Sequence, residues 1–263
     1  MSNIFSHWLN SRPRIEYICP EGAFAMLLLR SCLFNLVFYI NLVLFLVLGF
    51  WFFFTPRIWS IRALQVWART SLWWLRVIAG TRMEVRGREH IPLSGGLLAG
   101  KHQSAWDIFA LLPLLADPAL VLKRELTFIP LFGWFCLKFQ MIAVDRSAGP
   151  AALKKMVADA KQAIMMKRQV MIFPEGTRVA PDASPDYKSG AAALYMQLGV
   201  PCTPFALNSG LYWPRRQFIR KPGTIIVEFL PPVPAGLPRR EFSARLEQAI
   251  ETATARLVGE GQK

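Results

Sequence analysis

A histidine and an aspartate lie five residues apart where a short apolar run ends. His102 follows residues 97–99, which are predicted to form a strand, and Asp107 lies one turn into a predicted helix. An aspartate carboxylate that accepts the imidazole Nδ1 hydrogen leaves Nε2 able to take a proton, and it stabilises the resulting imidazolium. The pair could therefore deprotonate a substrate hydroxyl that then attacks directly, without a serine nucleophile.

Two other roles for these side chains have to be weighed. Asp107 could simply cap the helix, since such a spacing also arises by chance. A metal site is set aside, because the other histidines are His7 and His90 and no metal-ligand spacing accompanies them.

A second group of polar residues follows the apolar run at 170–172. Pro174 and Gly176 force a turn that holds Glu175 and Arg178 at the end of this strand, with Thr177 between them. Ligands in α/β proteins bind at the ends of strands. Arg178 can bind a phosphate through two hydrogen bonds, and Glu175 can bind a polyol or position Arg178. A purely structural Glu–Arg pair is the alternative.

The chain from residue 81 onward alternates short β-rich runs with helical stretches, which predicts an α/β fold. The predicted strands are residues 83–85, 97–99, 120–122, 141–144, 170–173, 200–207 and 225–229. The predicted helices are residues 106–116, 150–167, 189–198 and 240–258. Residues 81–263 are accordingly assigned to one catalytic domain.

Residues 1–80 are predicted to form a hydrophobic, helical membrane element. No charge occurs between Arg30 and Arg57, and residues 33–54 would make a helix of roughly 33 Å, enough to cross or deeply enter a bilayer. The bulky residues that end this run are unlike a signal-peptide cleavage site, so the segment is expected to be retained. Spanning and re-entering the membrane both remain open.

Residues 57–79 are predicted to form a second helix, because Arg62, Arg69 and Arg76 recur every seven residues and share one face. An arginine stripe among tryptophans with no acidic residue is typical of a helix lying on anionic lipid. A helix packed on the protein with a solvated basic face is the alternative.

The overall charge and the cysteines indicate the setting of the protein. The formal net charge is +14, which suits an anionic partner, and the apolar segment favours a membrane over nucleic acid. Three arginines before the apolar run are partly offset by two acids, whereas four arginines follow the run without an acid; the residues before it are Arg12, Arg14, Arg30, Glu16 and Glu21. If the first helix spans, this bias places the catalytic half in the cytoplasm. The four scattered cysteines, Cys19, Cys32, Cys136 and Cys202, are expected to be reduced.

Taken together, the motifs resemble the 1-acylglycerol-3-phosphate acyltransferase family of glycerophospholipid acyltransferases, over roughly residues 81–230. The matching segments, in family order, are His102 to Asp107, Lys123 to Leu126 with Pro130 and Gly133, Ile142 to Arg146, Phe173 to Arg178, and residues 200–207 with an internal Pro204. The complete ordered set is specific, although each piece alone is not. Ala143 departs from the bulky residue or proline found in many members, which puts the pocket shape in doubt.

The resemblance implies a mixed-sheet α/β acyltransferase domain behind an N-terminal membrane element. It implies transfer of an acyl group from acyl-CoA or acyl carrier protein to the sn-2 hydroxyl of 1-acylglycerol 3-phosphate, which gives phosphatidic acid without a cofactor. His102 and Asp107 would be catalytic. Lys123, Arg146 and Arg178 would surround the phosphate, and Glu175, Gly176 and Thr177 would complete the substrate site.

Other functions remain possible at this stage. The acceptor could be another lysophospholipid, glycerol 3-phosphate or a lyso-aminolipid. A non-catalytic membrane lipid-binding protein is a remoter alternative, since such a protein has no use for a base beside an aspartate. The sequence does not identify the donor, the acyl chain length or the oligomeric state.

Overall fold

A computed structural model describes residues 21–262, and within them seven strands form one mixed sheet. The strands are β1 (Thr81–Arg86), β2 (Gly96–Gly100), β3 (Pro118–Lys123), β4 (Ile142–Val144), β5 (Gln169–Ile172), β6 (Cys202–Leu207) and β7 (Gly223–Phe229). Their order is β1-β7-β6-β2-β5-β3-β4, and every neighbouring pair is parallel except β6 and β7. This confirms the predicted mixed α/β fold, and all seven predicted strands are present.

The helices lie on both faces of the sheet. They are α1 (Glu21–Leu48), α2 (Arg57–Trp74), α3 (Trp106–Ala110), α4 (Phe132–Lys138), α5 (Gly149–Met165), α6 (Ser189–Leu198), α7 (Ser209–Tyr212) and α8 (Arg239–Gly261). Shorter 3-10 segments are Gly49–Phe54, Arg88–His90, Leu112–Leu114, Arg124–Phe128 and Arg146–Ala148, and Leu75–Ala79 forms a π turn. The sequence did not predict α4 or α7.

The central strand β2 is completely buried because each face of the sheet is covered by helices. Leu98 points into a core shared with α1, α2 and α3, whereas Leu97 and Ala99 point into a core shared with α5, α6 and α8. The N-terminal helices therefore complete one of the two main cores of the sheet. The proposed domain boundary at residue 80 separates segments that pack together.

Two predicted helices differ from the structure in their limits. The first begins at Glu21 rather than at residue 33, and its last part, from Gly49, winds as a 3-10 helix. The helix predicted for residues 106–116 ends at Ala110, because Pro113 cannot donate the backbone hydrogen bond that a continuing helix needs. Arg12, Arg14, Glu16, Cys19 and His7, which the sequence interpretation used, lie outside the described residues.

Polar side chains join α1 to the sheet domain. Arg30 Nε donates to the Ile78 carbonyl, just before β1, at 2.6 Å. Asn35 Nδ2 donates to the Phe218 carbonyl at 3.1 Å, and the Arg220 guanidinium donates back to Asn35 Oδ1 at 3.1 Å. These contacts fix which side of α1 faces the protein.

A charged cluster links the start of α2 to the residues just before β3 and β5. Arg57 donates to both carboxylate oxygens of Asp117, at 2.6 and 2.5 Å, and Arg168 Nε donates to Oδ1 at 3.2 Å. Arg168 is 2% exposed and also donates to three backbone carbonyl oxygens. Burial by itself raises the pKa of Asp117, but the two guanidinium groups outweigh it and hold the pKa below its ordinary value.

We expect Asp117→Asn to lower the free energy of unfolding by about 3 kcal/mol, because it leaves the Arg168 guanidinium buried without a counter-charge. A carboxylate with a depressed folded pKa stabilises the protein above its unfolded pKa of about 3.9 and stops doing so as the pH falls through the folded value. The variant should therefore lose stability less steeply below about pH 4. Denaturant unfolding in detergent between pH 3 and 7 measures both effects.

Asp159→Asn is the matched control, because within residues 21–262 Asp159 pairs only with the exposed Lys155 one helical turn away. Such a surface pair contributes about 0.5 kcal/mol or less. Equal destabilisation by the two substitutions would contradict a structural role for the Asp117 cluster.

Candidate active site

The predicted site residues gather at the carboxyl edge of the sheet. His102 follows β2, Lys123 is the last residue of β3, Arg146 follows β4, and residues 173–178 follow β5. Because these four strands are parallel, all four segments emerge at the same edge. Ligands of α/β proteins bind at this edge.

His102 and Asp107 are in direct contact across the turn that opens α3. The His102 Nδ1 to Asp107 Oδ2 distance is 2.9 Å, with His102 8% exposed and Asp107 fully buried. A carboxylate is an acceptor, so this contact assigns the ring proton to Nδ1 and leaves Nε2 with a lone pair in the neutral imidazole. The spacing in the sequence had indicated this geometry.

The carboxylate of Asp107 has several further partners. Its Oδ2 accepts the backbone N–H groups of Gln103 at 2.7 Å and Ser104 at 2.8 Å, and its Oδ1 accepts the hydroxyl of Ser209 at 2.5 Å. Asp107 thus closes the turn that precedes α3 and holds His102 at the same time, whereas the N-cap position of α3 is Ala105, which has no side-chain cap. Ser209 was missed by the sequence analysis, although a polar residue just after the β6 strand could have drawn attention to it.

Phe173 fixes the orientation of the imidazole from another side. The rings of Phe173 and His102 are stacked, with centroids 4.1 Å apart and planes inclined by 20°. Val179 N also donates to the His102 carbonyl at 2.8 Å. The segment after β5 therefore packs directly against the histidine of the segment after β2.

Glu175 is turned toward the protein interior, with an exposure of 3%. Its carboxylate forms an ion pair with Lys101 at 2.8 Å and accepts the backbone N–H of His102 at 3.4 Å. Burial raises the pKa of Glu175, and the Lys101 ammonium opposes that shift. The structure does not contain the alternative Glu175–Arg178 ion pair. Glu175 is buried beside the Lys101 ammonium and pairs with that cation instead.

Gly176 and Arg146 lie against each other. Gly176 has φ +65°, and a Cβ at this position would lie 2.9 to 3.1 Å from the guanidinium of Arg146. A glycine therefore permits both the left-handed turn and the close approach of the arginine. This contact joins the segment after β4 to the segment after β5.

The remaining predicted residues are accessible at the same edge. Lys123, Arg146 and Thr177 are exposed, and Arg178 is half-buried, with its backbone carbonyl accepting Arg215 Nη1 at 2.7 Å. The site thus combines a buried acid–base pair with accessible cations. Among residues 21–262, no group of His, Cys, Asp and Glu has an arrangement that could hold a metal ion.

Comparison with known proteins relates this geometry to one family. A family model described as acyltransferase matches residues 82–208. A 1-acyl-sn-glycerol-3-phosphate acyltransferase of Pseudomonas aeruginosa is 37% identical over 196 residues, which cover 74% of this chain and 76% of the relative. The human 1-acyl-sn-glycerol-3-phosphate acyltransferase alpha is 30% identical over 169 residues, covering 63% of this chain and 60% of the human protein.

A solved structure has the same fold. The crystal structure of the 1-acyl-sn-glycerophosphate (LPA) acyltransferase PlsC from Thermotoga maritima superimposes with a TM-score of 0.74, covering 87% of this chain and 96% of that one, at 22% identity. The family model, the bacterial relative and the shared fold agree with the resemblance carried by the motifs. The chain belongs to the 1-acyl-sn-glycerol-3-phosphate acyltransferase family.

Proposed function

We propose that this protein transfers a fatty acyl group from a thioester to the sn-2 hydroxyl of 1-acyl-sn-glycerol 3-phosphate, forming phosphatidic acid, with His102 as the general base. The observation that carries the mechanism is the 2.9 Å contact between His102 Nδ1 and the buried carboxylate of Asp107. The names of the bacterial and mammalian relatives support the same acceptor.

The reaction follows from the tautomer of His102. Nε2 takes the proton of the acceptor hydroxyl as its oxygen attacks the thioester carbonyl, and Asp107 stabilises the imidazolium. When the tetrahedral intermediate collapses, the C–S bond breaks and the imidazolium returns its proton to the leaving thiolate. The products are the ester and a free thiol, so neither a metal nor a redox cofactor is needed.

The accessible cations account for a phosphate-bearing acceptor. Lys123, Arg146 and Arg178 come from separate segments at the same sheet edge, and cations from different segments can surround a dianion more selectively than one can. The exposed Thr177 hydroxyl lies in the same loop and can add a neutral hydrogen bond. Glu175, which is paired with Lys101, would hold the backbone of His102 rather than contact the glycerol.

The test of this function is an assay of the purified protein in detergent or vesicles. A panel of lysolipids and glycerol 3-phosphate is offered with acyl-CoA and with acyl carrier protein, and the products are identified by mass. We expect phosphatidic acid from 1-acylglycerol 3-phosphate at the highest rate. A clear preference for an acceptor without a terminal phosphate would refute the proposal, and the donor that supports turnover identifies the thiol.

His102→Ala should lower kcat by roughly 10² to 10⁴, the usual loss when a general base is removed. The variant should still bind to vesicles, because His102 is far from the lipid-facing helices in sequence and is nearly buried. Initial rates with saturating substrates measure the loss. Turnover close to that of the unmodified protein would rule out the mechanism.

Arg178→Ala should raise KM for 1-acylglycerol 3-phosphate more than KM for the acyl donor, because the guanidinium contributes to binding of the acceptor phosphate. Arg88→Ala is the matched control, since Arg88 is exposed just after β1, which runs antiparallel to β2 and therefore ends at the opposite edge of the sheet. An equal rise in both KM values for Arg178→Ala would remove its assignment to the phosphate.

The placement on the membrane follows from the two sides of α1. Its protein-facing side includes the buried residues Ser31, Phe34 and Asn35. Its other side exposes large apolar residues along the helix: Leu29, Leu33, Leu36, Ile40, Leu44, Val47 and, just beyond it, Trp51. Among the described residues, Gly22–Phe54 is the one stretch long and apolar enough to cross a bilayer. Packing on the sheet domain along one side favours burial in a single leaflet.

The exposed side of α2 continues this lipid-facing surface. Trp59, Val66 and Trp73 are each more than half exposed and recur every seven residues. They adjoin the exposed stripe of Arg62, Arg69 and Arg76, three positions further along. An apolar stripe beside a basic stripe suits the boundary between acyl chains and anionic headgroups. Because acyl thioester donors are cytosolic, we place the catalytic edge on the cytoplasmic face.

Replacing Trp59 and Trp73 together by Ser should reduce binding to vesicles of neutral lipid, and replacing Arg62, Arg69 and Arg76 by Ser should reduce the extra affinity for anionic vesicles by about 1 kcal/mol per arginine. Vesicle flotation at two salt concentrations measures both. Met165→Ser, on the exposed side of α5 across the sheet, is the control and should change neither. Unchanged partitioning of the α2 variants would exclude this placement.

A further inference from the structure

Lys101 is a completely buried ammonium group beside the catalytic histidine. It lies 2.8 Å from Glu175 and 2.9 Å from Glu251, and its exposure is 0%. Glu251 belongs to α8, and Tyr187 donates its hydroxyl to the same carboxylate at 2.8 Å. A charge removed from water in this way is costly unless it is paired, so Lys101 and the two carboxylates have to be understood as one unit.

Glu175 connects this unit to His102. Its Oε2 accepts the backbone N–H of His102, whereas Asp107 holds the imidazole of the same residue. An ionised carboxylate is a stronger acceptor than a neutral carboxyl group. The backbone position of His102 therefore depends on the charge of Glu175.

Whether Glu175 is ionised depends on the charged groups around it. Lys101 is the cation buried against it, and the groups of like sign that face the cluster are Glu251 and, at the rim, Glu247 on α8. Tyr187 contributes a neutral hydroxyl from the loop before α6, and the Arg146 guanidinium lies beyond Gly176. Without Lys101, a buried carboxyl next to another acid would hold its proton to a higher pH.

We propose that Lys101 is a positioning residue, which keeps Glu175 ionised so that Glu175 fixes the backbone of His102, and that Glu251 on α8 completes the charge balance. The inference rests on the proposed role of His102 as the base. It assigns a function to residue 251, which lies outside the segment 82–208 matched by the acyltransferase model.

The decisive variant is Lys101→Met, which keeps the side-chain length and removes the charge. Glu175 should then be protonated at neutral pH, and it should ionise again only as the pH rises. We expect kcat to fall about tenfold or more at pH 7, and the acid limb of the kcat/KM profile to move up by about one pH unit or more. An acid limb that coincides with that of the unmodified protein would overturn the proposal.

A second variant separates charge from packing. In Lys101→Met with Glu175→Gln, the buried pair is neutral, so the acid limb should return to its original position while kcat remains reduced. Persistence of the shifted limb in the double variant would contradict the role of Glu175. The carboxylate that loses its cation in this variant is Glu251, whose side chain is 25% exposed, so the variant also remains informative if Lys101→Met proves poorly folded.

Glu247→Gln is the control for α8, because it makes the same change of charge one turn from Glu251 on an exposed position. It should leave kcat and the acid limb unchanged, whereas Glu251→Gln should lower kcat several-fold without raising the acid limb. An effect of Glu247→Gln equal to that of Glu251→Gln would contradict the specific contact.

If His102→Ala retains turnover, the base mechanism itself fails. If His102→Ala is inactive but Lys101→Met keeps the original limb, only this inference fails.

Discussion

The buried carboxylate of Asp107 sets the geometry of the catalytic edge. A carboxylate without solvent must have its oxygens occupied by donors, since an unsatisfied buried charge is far costlier than a hydrogen bond is favourable. Four donors meet this requirement, two from backbone amides of the turn, one from the imidazole of His102 and one from Ser209. The turn after β2 and the end of β6 are consequently held in one arrangement, and the imidazole shares it.

Buried and exposed cations of this protein differ in their partners. Lys101, beside the site, and Arg168, at the amino edge of the sheet, are buried and are each matched by carboxylates in contact. Lys123 and Arg146, in contrast, are exposed at the carboxyl edge of the sheet, where an anion can approach them. Lys101 and Arg168 are therefore satisfied by the protein's own carboxylates, whereas Lys123 and Arg146 are left to attract an anionic ligand. A surface of this kind also raises the local concentration of anionic ligands.

The sequence was sufficient for the seven strands, because each is a short apolar run bounded by turn residues, and for the meeting of His102 with Asp107, because both lie within one local turn. It was insufficient where the partner is distant. Lys101 meets Glu251 across 150 residues and Asp107 meets Ser209 across 102, and neither spacing leaves a pattern in the chain. The same limit applies to Glu175. Its neighbour in the sequence, Arg178, was the expected partner, but Glu175 is buried beside Lys101 and pairs with it. The start of α1 was misplaced because Arg30 finds a carbonyl acceptor only in the folded protein.

The pairing of β1 with β7 governs the order in which this protein can be completed during synthesis. Thr81 pairs with Gly223, so the first strand waits for more than a hundred residues of chain before its neighbour exists. The same holds for α1, whose Asn35 contacts the segment at Phe218 and Arg220. The apolar side of α1 can meet lipid as soon as it leaves the ribosome, and Arg30 finds Ile78 early, whereas Asn35 has no partner until translation is nearly finished. A chain shortened before β7 would leave β1 without its neighbour and Asn35 without its partners, and unpaired strand edges of this kind are prone to aggregate.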